Sequence, residues 1–408
     1  MRIFFSVGEP SGDLHGSNLI RALKARQPDS QFFGFGGPEM AAAGCVLERD
    51  MSDLAIMGIA RVVPHLKTFW NLLQQADRFF EQQRPDAVVL IDYPGFNWWV
   101  ARKAKQRGIP VFYYGTPQIW AWATYRVRKL RRLVDHSLCK LPFEPDWYRQ
   151  HDCQATYVGH PYFDDFVDQS LDQEFLRTFD GQQLVTVLPG SRRSEVTNNL
   201  PAFLRTIDHV HAAQPNTKFA IASYNEQQAA MARQIVMQHN GTALPVIHVN
   251  RTRELIRSAT VCLACSGSVS LELLHELKPT VIHYKIDRFV NFLQKRMRRI
   301  KFFTLVNLLN SENRFEYRQE YDPNDVEALA EAPFPEYLAV EDRSDEMAQH
   351  LLRWLTSETS RREAIDLLEP LRQSFAKPGA SKSAATYITN QLAAEPTLPG
   401  SFSVKKVA

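Results

Sequence analysis

Short, unbroken apolar runs alternate along the chain with longer amphipathic stretches. Residues 2–8, RIFFSVG, predict a first strand, and the segment after it sets Leu19, Ile20 and Leu23 on one side of a helix. QFFGFGG, the Ala87–Ile91 run AVVLI, IPVFYYG and VDHSLCKL predict further strands with helical segments between them. A polar, Asp-rich stretch from Asp164 to Gln183 carries no strand pattern and reads as a linker. The alternation then resumes with LVTVL, KFAIAS, LPVIHV, ATVCLAC and PTVIHYK. Strand alternating with helix predicts parallel, doubly wound sheets with ligand groups at the carboxyl ends of the strands. Two such units in series predict a nucleotide-sized site in the crevice between them. Past Ile300 the pattern weakens, although EMAQHLLRWL and REAIDLLEPLRQSF predict helices and the last dozen residues a frayed tail.

Composition narrows this picture only a little. At 408 residues two domains are expected, and 44% hydrophobic with 23% charged residues is an ordinary globular balance. A net charge of +3 is too small to argue for nucleic acid. The N-terminus lacks a charged segment followed by an apolar core, so no signal peptide is read, and no apolar run approaches a membrane span. Five scattered cysteines suit a reduced compartment. Cys262 and Cys265 have CxxC spacing, but inside the apolar run VCLAC they read as core thiols.

The candidate chemistry gathers at strand ends. The segment Leu184–Glu195, LVTVLPGSRRSE, is a strand that breaks at Pro189-Gly190 and leads into a helix expected from about Asn198. Backbone amides and a helix dipole then face one spot, with Arg192 and Arg193 beside it, which suits a phosphate; an ordinary βα turn with solvated arginines is the alternative. No Walker sequence is present. Asp92 ends an apolar strand, where a general base would stand, or where a helix starting near Asn97 would want a cap. In CSGSVSLELLHE, Ser266, Gly267 and Ser268 could meet a phosphate or uracil and Glu272 a ribose; a serine-rich cap with a dipole-matched glutamate is the other reading. His15 and His160 read by default as hydrogen-bonded structural residues. Val62, Val63, Leu66, Phe69, Trp70 and Leu73 recur at near-helical spacing, and Arg288–Phe303 mixes six basic residues with bulky apolar ones. Both suit a helix lying on anionic lipid, or a core-facing helix with a solvated side.

Eight motifs stand in one order: GEPSGD (Gly8–Asp13), IMGIARVV (Ile56–Val63), IDYPGFN (Ile91–Asn97), TPQIWAW (Thr116–Trp122), LPFEPDWY (Leu141–Tyr148), VGHPYFDD (Val158–Asp165), LPGSRRSEV (Leu188–Val196) and SGSVSLE (Ser266–Glu272). Together they resemble the lipid-A-disaccharide synthase family of inverting glycosyltransferases. The resemblance implies a GT-B fold, two Rossmann-like domains whose parallel sheets face across a cleft. It divides the chain into an acceptor- and membrane-facing domain (1–170), a UDP-sugar domain (171–340), C-terminal helices (341–395) packing back on the first domain or on a partner subunit, and a tail (396–408).

The implied reaction transfers the sugar of UDP-2,3-diacylglucosamine to 2,3-diacylglucosamine 1-phosphate (lipid X), releasing UDP. Asp92 and Arg192 are the implied catalytic pair. Gly190, Ser191, Arg192, Ser266, Gly267, Ser268, Glu272 and Asn307 would hold the UDP-sugar, and Glu9, Ser11, Gly12 and Asp13 the acceptor. The implied setting is the cytosolic face of the inner membrane, touched by the Val62–Leu73 stretch, with a homodimer possible, no nucleic acid, no metal and no other cofactor. Segments after Asn307 depart from the family pattern. Another UDP-N-acetylglucosamine enzyme, an epimerase or a MurG-like transferase, and a non-catalytic UDP- or lipid-binding relative are the alternatives.

Overall fold

The apolar runs become strands of two wholly parallel sheets in the computed structural model, which describes residues 1–51, 66–166, 171–318, 321–325 and 327–394. One compact unit takes in Met1–Ile119, Thr124–Val167 and Pro378–Ala408; the other takes in Trp120–Ala123 and Asp168–Lys377.

The first unit holds β1 (Arg2–Val7), β2 (Gln31–Gly36), β3 (Cys45–Asp50), β4 (Ala87–Ile91), β5 (Val111–Tyr114), β6 (His136–Cys139) and β7 (Ala155–Tyr157), in the order β3-β2-β1-β4-β5-β6-β7. Every residue of β4 and β5 is buried, because helices cover both faces of a parallel sheet. On one face Phe4 packs against Phe35, Phe79 and Phe80 at 5.0–5.3 Å between ring centres. The other face is closed in part by the C-terminal helix Ala380–Ala394, whose Ala384, Ala385 and Ile388 join the core of Ile3, Phe5 and Leu19. Asp164 caps that helix through the amides of Ala380 and Ser381, at 3.1 and 2.8 Å.

The second unit repeats the plan with β8 (Leu184–Leu188), β9 (Lys218–Ser223), β10 (Val246–Val249), β11 (Val261–Cys265), β12 (Thr280–Lys285) and β13 (Glu336–Ala339), ordered β10-β9-β8-β11-β12-β13. In both sheets the strand order reverses beside the first strand, at β1/β4 and at β8/β11. At such a switch point neighbouring loops diverge to opposite faces and leave a crevice at the carboxyl edge.

Three strands escape the hydrophobic pattern. β3 and β7 are edge strands with mostly part-buried or exposed side chains, so neither forms an apolar run. β13 begins on a buried glutamate, Glu336, which accepts from the amides of Phe303 and Thr304 at 2.9 and 3.0 Å. The helix expected from about Asn198 starts earlier, at Arg193, since Glu195 reaches back to the amides before it. The C-terminal block 341–395 is divided: Ser344–Thr356 and Glu358–Phe375 belong to the second unit, and only Ala380–Ala394 returns to the first.

Candidate active site

In the first unit the loops after β1 and β4 are pressed together at the switch point. A Cβ on Gly12 would lie 2.8 Å from Oδ2 of Asp92, and one on Gly8 would lie 2.5 Å from the Tyr93 ring. Only glycine permits that approach. Asp92 and Tyr93 both take left-handed backbone angles, φ 49° and 40°, which neither residue adopts without a cost of about 1–3 kcal/mol. The surroundings hold them there. The Asp92 carbonyl accepts from Asn97 Nδ2 at 2.8 Å and from the Tyr113 hydroxyl at 2.6 Å, and Asn97 is itself fixed by Ser6 Oγ at 2.6 Å. The backbone of Asp92 is therefore tied down, while its part-buried carboxylate makes no hydrogen bond or ion pair among the described residues. Asp92 does not cap the helix Pro94–Gln106, whose N-cap position is Tyr93.

The helix Pro10–Arg26 starts at this spot without a side-chain cap, with Ser11 exposed and Gly12 buried in its first turn behind the exposed Glu9. His15 lies one turn further on. Burial pushes its imidazole down to about 4, against the pull of Asp92, and its buried Nδ1 has no hydrogen-bond partner among the described residues. Asp13, expected to touch an acceptor, does something else. Its Oδ1 accepts from the amides of Gly37 and Met40 and its Oδ2 from Glu39, so it caps the helix Pro38–Ala42 with both oxygens spent. His160 is buried and held far below its ordinary range by burial, its Nδ1 receiving the Tyr162 amide. That agrees with its structural default.

In the second unit β8 turns at Gly190, φ 119°, where a Cβ would strike Glu195 at 2.4 Å. The amide of Ser191, expected with that of Gly190 to be open to a phosphate, instead donates to Oε2 of Glu195 at 2.8 Å, and the Arg192 amide joins it at 3.0 Å. The turn is thus filled by an internal carboxylate. Arg192 Nη1 donates to Oε1 of the same residue at 2.9 Å, and its side chain remains 75% exposed, so its other N–H donors face outward. Beyond β11, Ser266, Gly267 and Ser268 form a turn in which a side chain at Gly267 would meet no neighbour among the described residues within 4 Å. Glu272 is buried, with Oε1 3.7 Å from Nε of Arg253, a pairing that competes with the ribose role.

Asn307 departs furthest from expectation. It is fully buried; Nδ2 donates to the Phe334 carbonyl and to Glu336, and Oδ1 accepts from the Phe334 amide. Its amide is spent on holding β13 to the helix Leu305–Asn310, which is a scaffold role. Leu73 is likewise corrected: it is buried in the core, not offered to a membrane. Phe69 is half-buried against Tyr93 and Phe96, whereas Trp70 is 62% exposed. Val62, Val63 and the side chain of Leu66 lie outside the described residues, as does the motif Ile56–Val63. All five cysteines are buried and unpaired, and burial pushes Cys262 up to about 12, which suits core thiols.

Asn97, Tyr113 and Glu195 were not foreseen as site residues. IDYPGFN contains Asn97, but a tie to a strained carbonyl leaves no mark on sequence spacing. Glu195 had a readable signal, a glutamate three residues into a helix start.

A profile of the family described as lipid-A-disaccharide synthetase matches residues 3–366. The lipid-A-disaccharide synthase of Trichlorobacter lovleyi is 35% identical over 319 residues, 76% of this chain and 82% of its own. That of Alteromonas mediterranea is 32% identical over 398 residues, 96% of this chain and 98% of its own. Among solved structures, the UDP-GlcNAc 2-epimerase of Neisseria meningitidis bound to UDP-GlcNAc superposes with a TM-score of 0.59 at 12% identity, covering 97% of this chain and all of that one. The last likeness is one of fold alone, two Rossmann-like domains of the GT-B class. With a matching profile over most of its length and relatives above 30% identity along nearly all of it, the chain belongs to the lipid-A-disaccharide synthase family.

Proposed function

We propose that the loop of Asp92 and the loop of Arg192 are the two working parts of a lipid A disaccharide synthesis in which the first unit supplies the base and the second holds the nucleotide. The family's substrates are a UDP-sugar and a lipid-type acceptor. The finer reading is that UDP-2,3-diacylglucosamine gives its sugar to the 6-hydroxyl of 2,3-diacylglucosamine 1-phosphate. The acceptor oxygen bonds to the anomeric carbon as the bond from that carbon to the diphosphate oxygen breaks. The electron pair leaves with UDP, the configuration inverts, and the hydroxyl proton passes to Asp92.

The observation that carries this reading is the state of Asp92: a strained, over-determined backbone presenting a carboxylate with no partner among the described residues. Strain of this kind persists where surrounding structure enforces it, commonly at active sites. Ser11 and Gly12, in the uncapped first turn beside Asp92, are the acceptor side. In the second unit the outward N–H groups of Arg192 meet the diphosphate, where charge gathers as the bond breaks. Glu195 holds that guanidinium in place, which removes some of the entropy of ordering it. The Ser266–Ser268 turn, open above Gly267, completes the nucleotide side.

No helix among the described residues is long and apolar enough to cross a membrane. Acylated substrates nonetheless reside in a bilayer, and Trp70 with the exposed Phe289, Val290, Phe292 and Leu293 are the groups suited to touch its surface. The test is to give purified protein both acylated sugars, or UDP-GlcNAc alone. UDP release with a disaccharide of the expected mass only from the acylated pair supports the reading. Conversion of UDP-GlcNAc in the absence of acyl chains would replace it with an epimerase-like activity.

A further inference from the structure

The second unit contains a cavity of about 1080 Å³ beside the edge strand β13, walled by the end of the helix Arg288–Met297 and the segment that follows it. Its lining is strongly cationic: Lys295, Arg296, Arg298, Arg299, Lys301, Arg318 and Arg343 face two acids, the exposed Asp322 and the buried Glu336. Three of these are already engaged, Lys301 with Glu331 at 2.6 Å, Arg343 with Glu346 at 2.8 Å, and Arg299 with the Tyr317 hydroxyl. Arg296 stacks on the Phe292 ring at 4.7 Å and, like Lys295 and Arg298, faces no carboxylate within ion-pair distance among the described residues. The one acid buried in the lining, Glu336, has both oxygens committed to Phe303, Thr304 and Asn307, and burial pushes it up to about 7. The charge of Glu336 acts on Arg298 and offsets in part the burial of that guanidinium, without a hydrogen bond or ion pair between them among the described residues.

Arg298 is the residue that calls for a ligand. It is half-buried, burial lowers its affinity for its proton, and it makes no side-chain hydrogen bond among the described residues. An unpaired guanidinium withdrawn from water is costly, and its forked donors match the geometry of a phosphate. The helix that ends at this cavity buries none of its residues and exposes Phe289, Phe292 and Leu293. An amphiphile could thus place a charged head in the cavity and its chains along that helix.

We propose that this cavity is a phosphate subsite that receives the phosphate at the head of an acylated molecule, with Arg298 as its central ligand and Lys295 and Arg296 beside it. The inference rests on the acylated-substrate reading above. Asp13 offers such a phosphate nothing, being spent on a cap. Two sources share the chemistry, the phosphomonoester of the acceptor sugar and the phosphate of an anionic phospholipid.

The test compares wild type with Arg298→Gln, Lys295→Gln and, as control, Arg362→Gln, a surface residue that pairs with Asp366 one turn on within the helix Glu358–Phe375. Turnover is measured in neutral detergent micelles and binding by sedimentation with vesicles of phosphatidylglycerol or phosphatidylcholine. A rise of about tenfold in KM for the phosphorylated acceptor, with kcat and donor KM unchanged, assigns the site to the substrate. An unchanged KM with about fivefold weaker binding to phosphatidylglycerol vesicles alone assigns it to the lipid headgroup. Arg298→Gln behaving as the control does in both assays overturns the proposal. If the wild type turns over neither lipid, the function reading fails by itself, and the vesicle comparison still decides the subsite.

Discussion

Two residues with positive φ in succession, Asp92 and Tyr93, show how a side chain can be freed by confining its backbone. Tyr113 and Asn97 absorb the hydrogen-bonding capacity of the Asp92 carbonyl, and the carboxylate has no partner among the described residues. Arg192 is arranged differently, with one N–H fixed on Glu195 and the others outward. Arg192→Ala should lower kcat/KM by about 10²–10³-fold, the usual cost of losing one donor to developing negative charge. Steady-state kinetics with both acylated sugars would check this, and a loss under about twofold would remove Arg192 from the diphosphate. At this scale the sequence was only partly readable. The loops of Asp92 and Arg192 were visible as strand ends, but Asp13 and Asn307 sit in equally suggestive motifs and turn out to be a cap and a core clamp. Spacing shows where a polar residue falls, not which backbone groups claim it first.

The helix Leu66–Gln83 carries the same lesson for elements. Its apolar residues repeat at helical spacing, which suits either a core face or a membrane face. The structure divides them: Leu72, Leu73, Ala76 and Phe80 go inward, and Trp70 goes out. Leu73→Ala should therefore cost about 2–5 kcal/mol of stability, as core truncations do. Trp70→Ser should leave the thermal midpoint unchanged while weakening sedimentation with lipid vesicles. Undiminished vesicle binding by Trp70→Ser would end its assignment to a membrane surface. The buried parallel strands were legible because both faces are covered, which yields continuous apolar runs. β3 and β7 were not, as sheet edges relax that demand.

At the scale of the molecule, one plan is used twice, with a pair of loops at the β1/β4 switch point and another at β8/β11. The strand alternation made that plan readable. The return of Ala380–Ala394 to the first unit was not readable to the residue, since an apolar stripe of Ala384, Ala385 and Ile388 does not state which sheet it covers. The division of labour between the units is the central claim, and Asp92→Asn tests it most directly. Asparagine tolerates the left-handed backbone at this position, so the variant should fold. Titrated with UDP and assayed with both acylated sugars, it should bind UDP within about twofold of wild type and lose roughly 10²–10⁴-fold in turnover. A folded Asp92→Asn protein that turns over at nearly the wild-type rate would contradict the account.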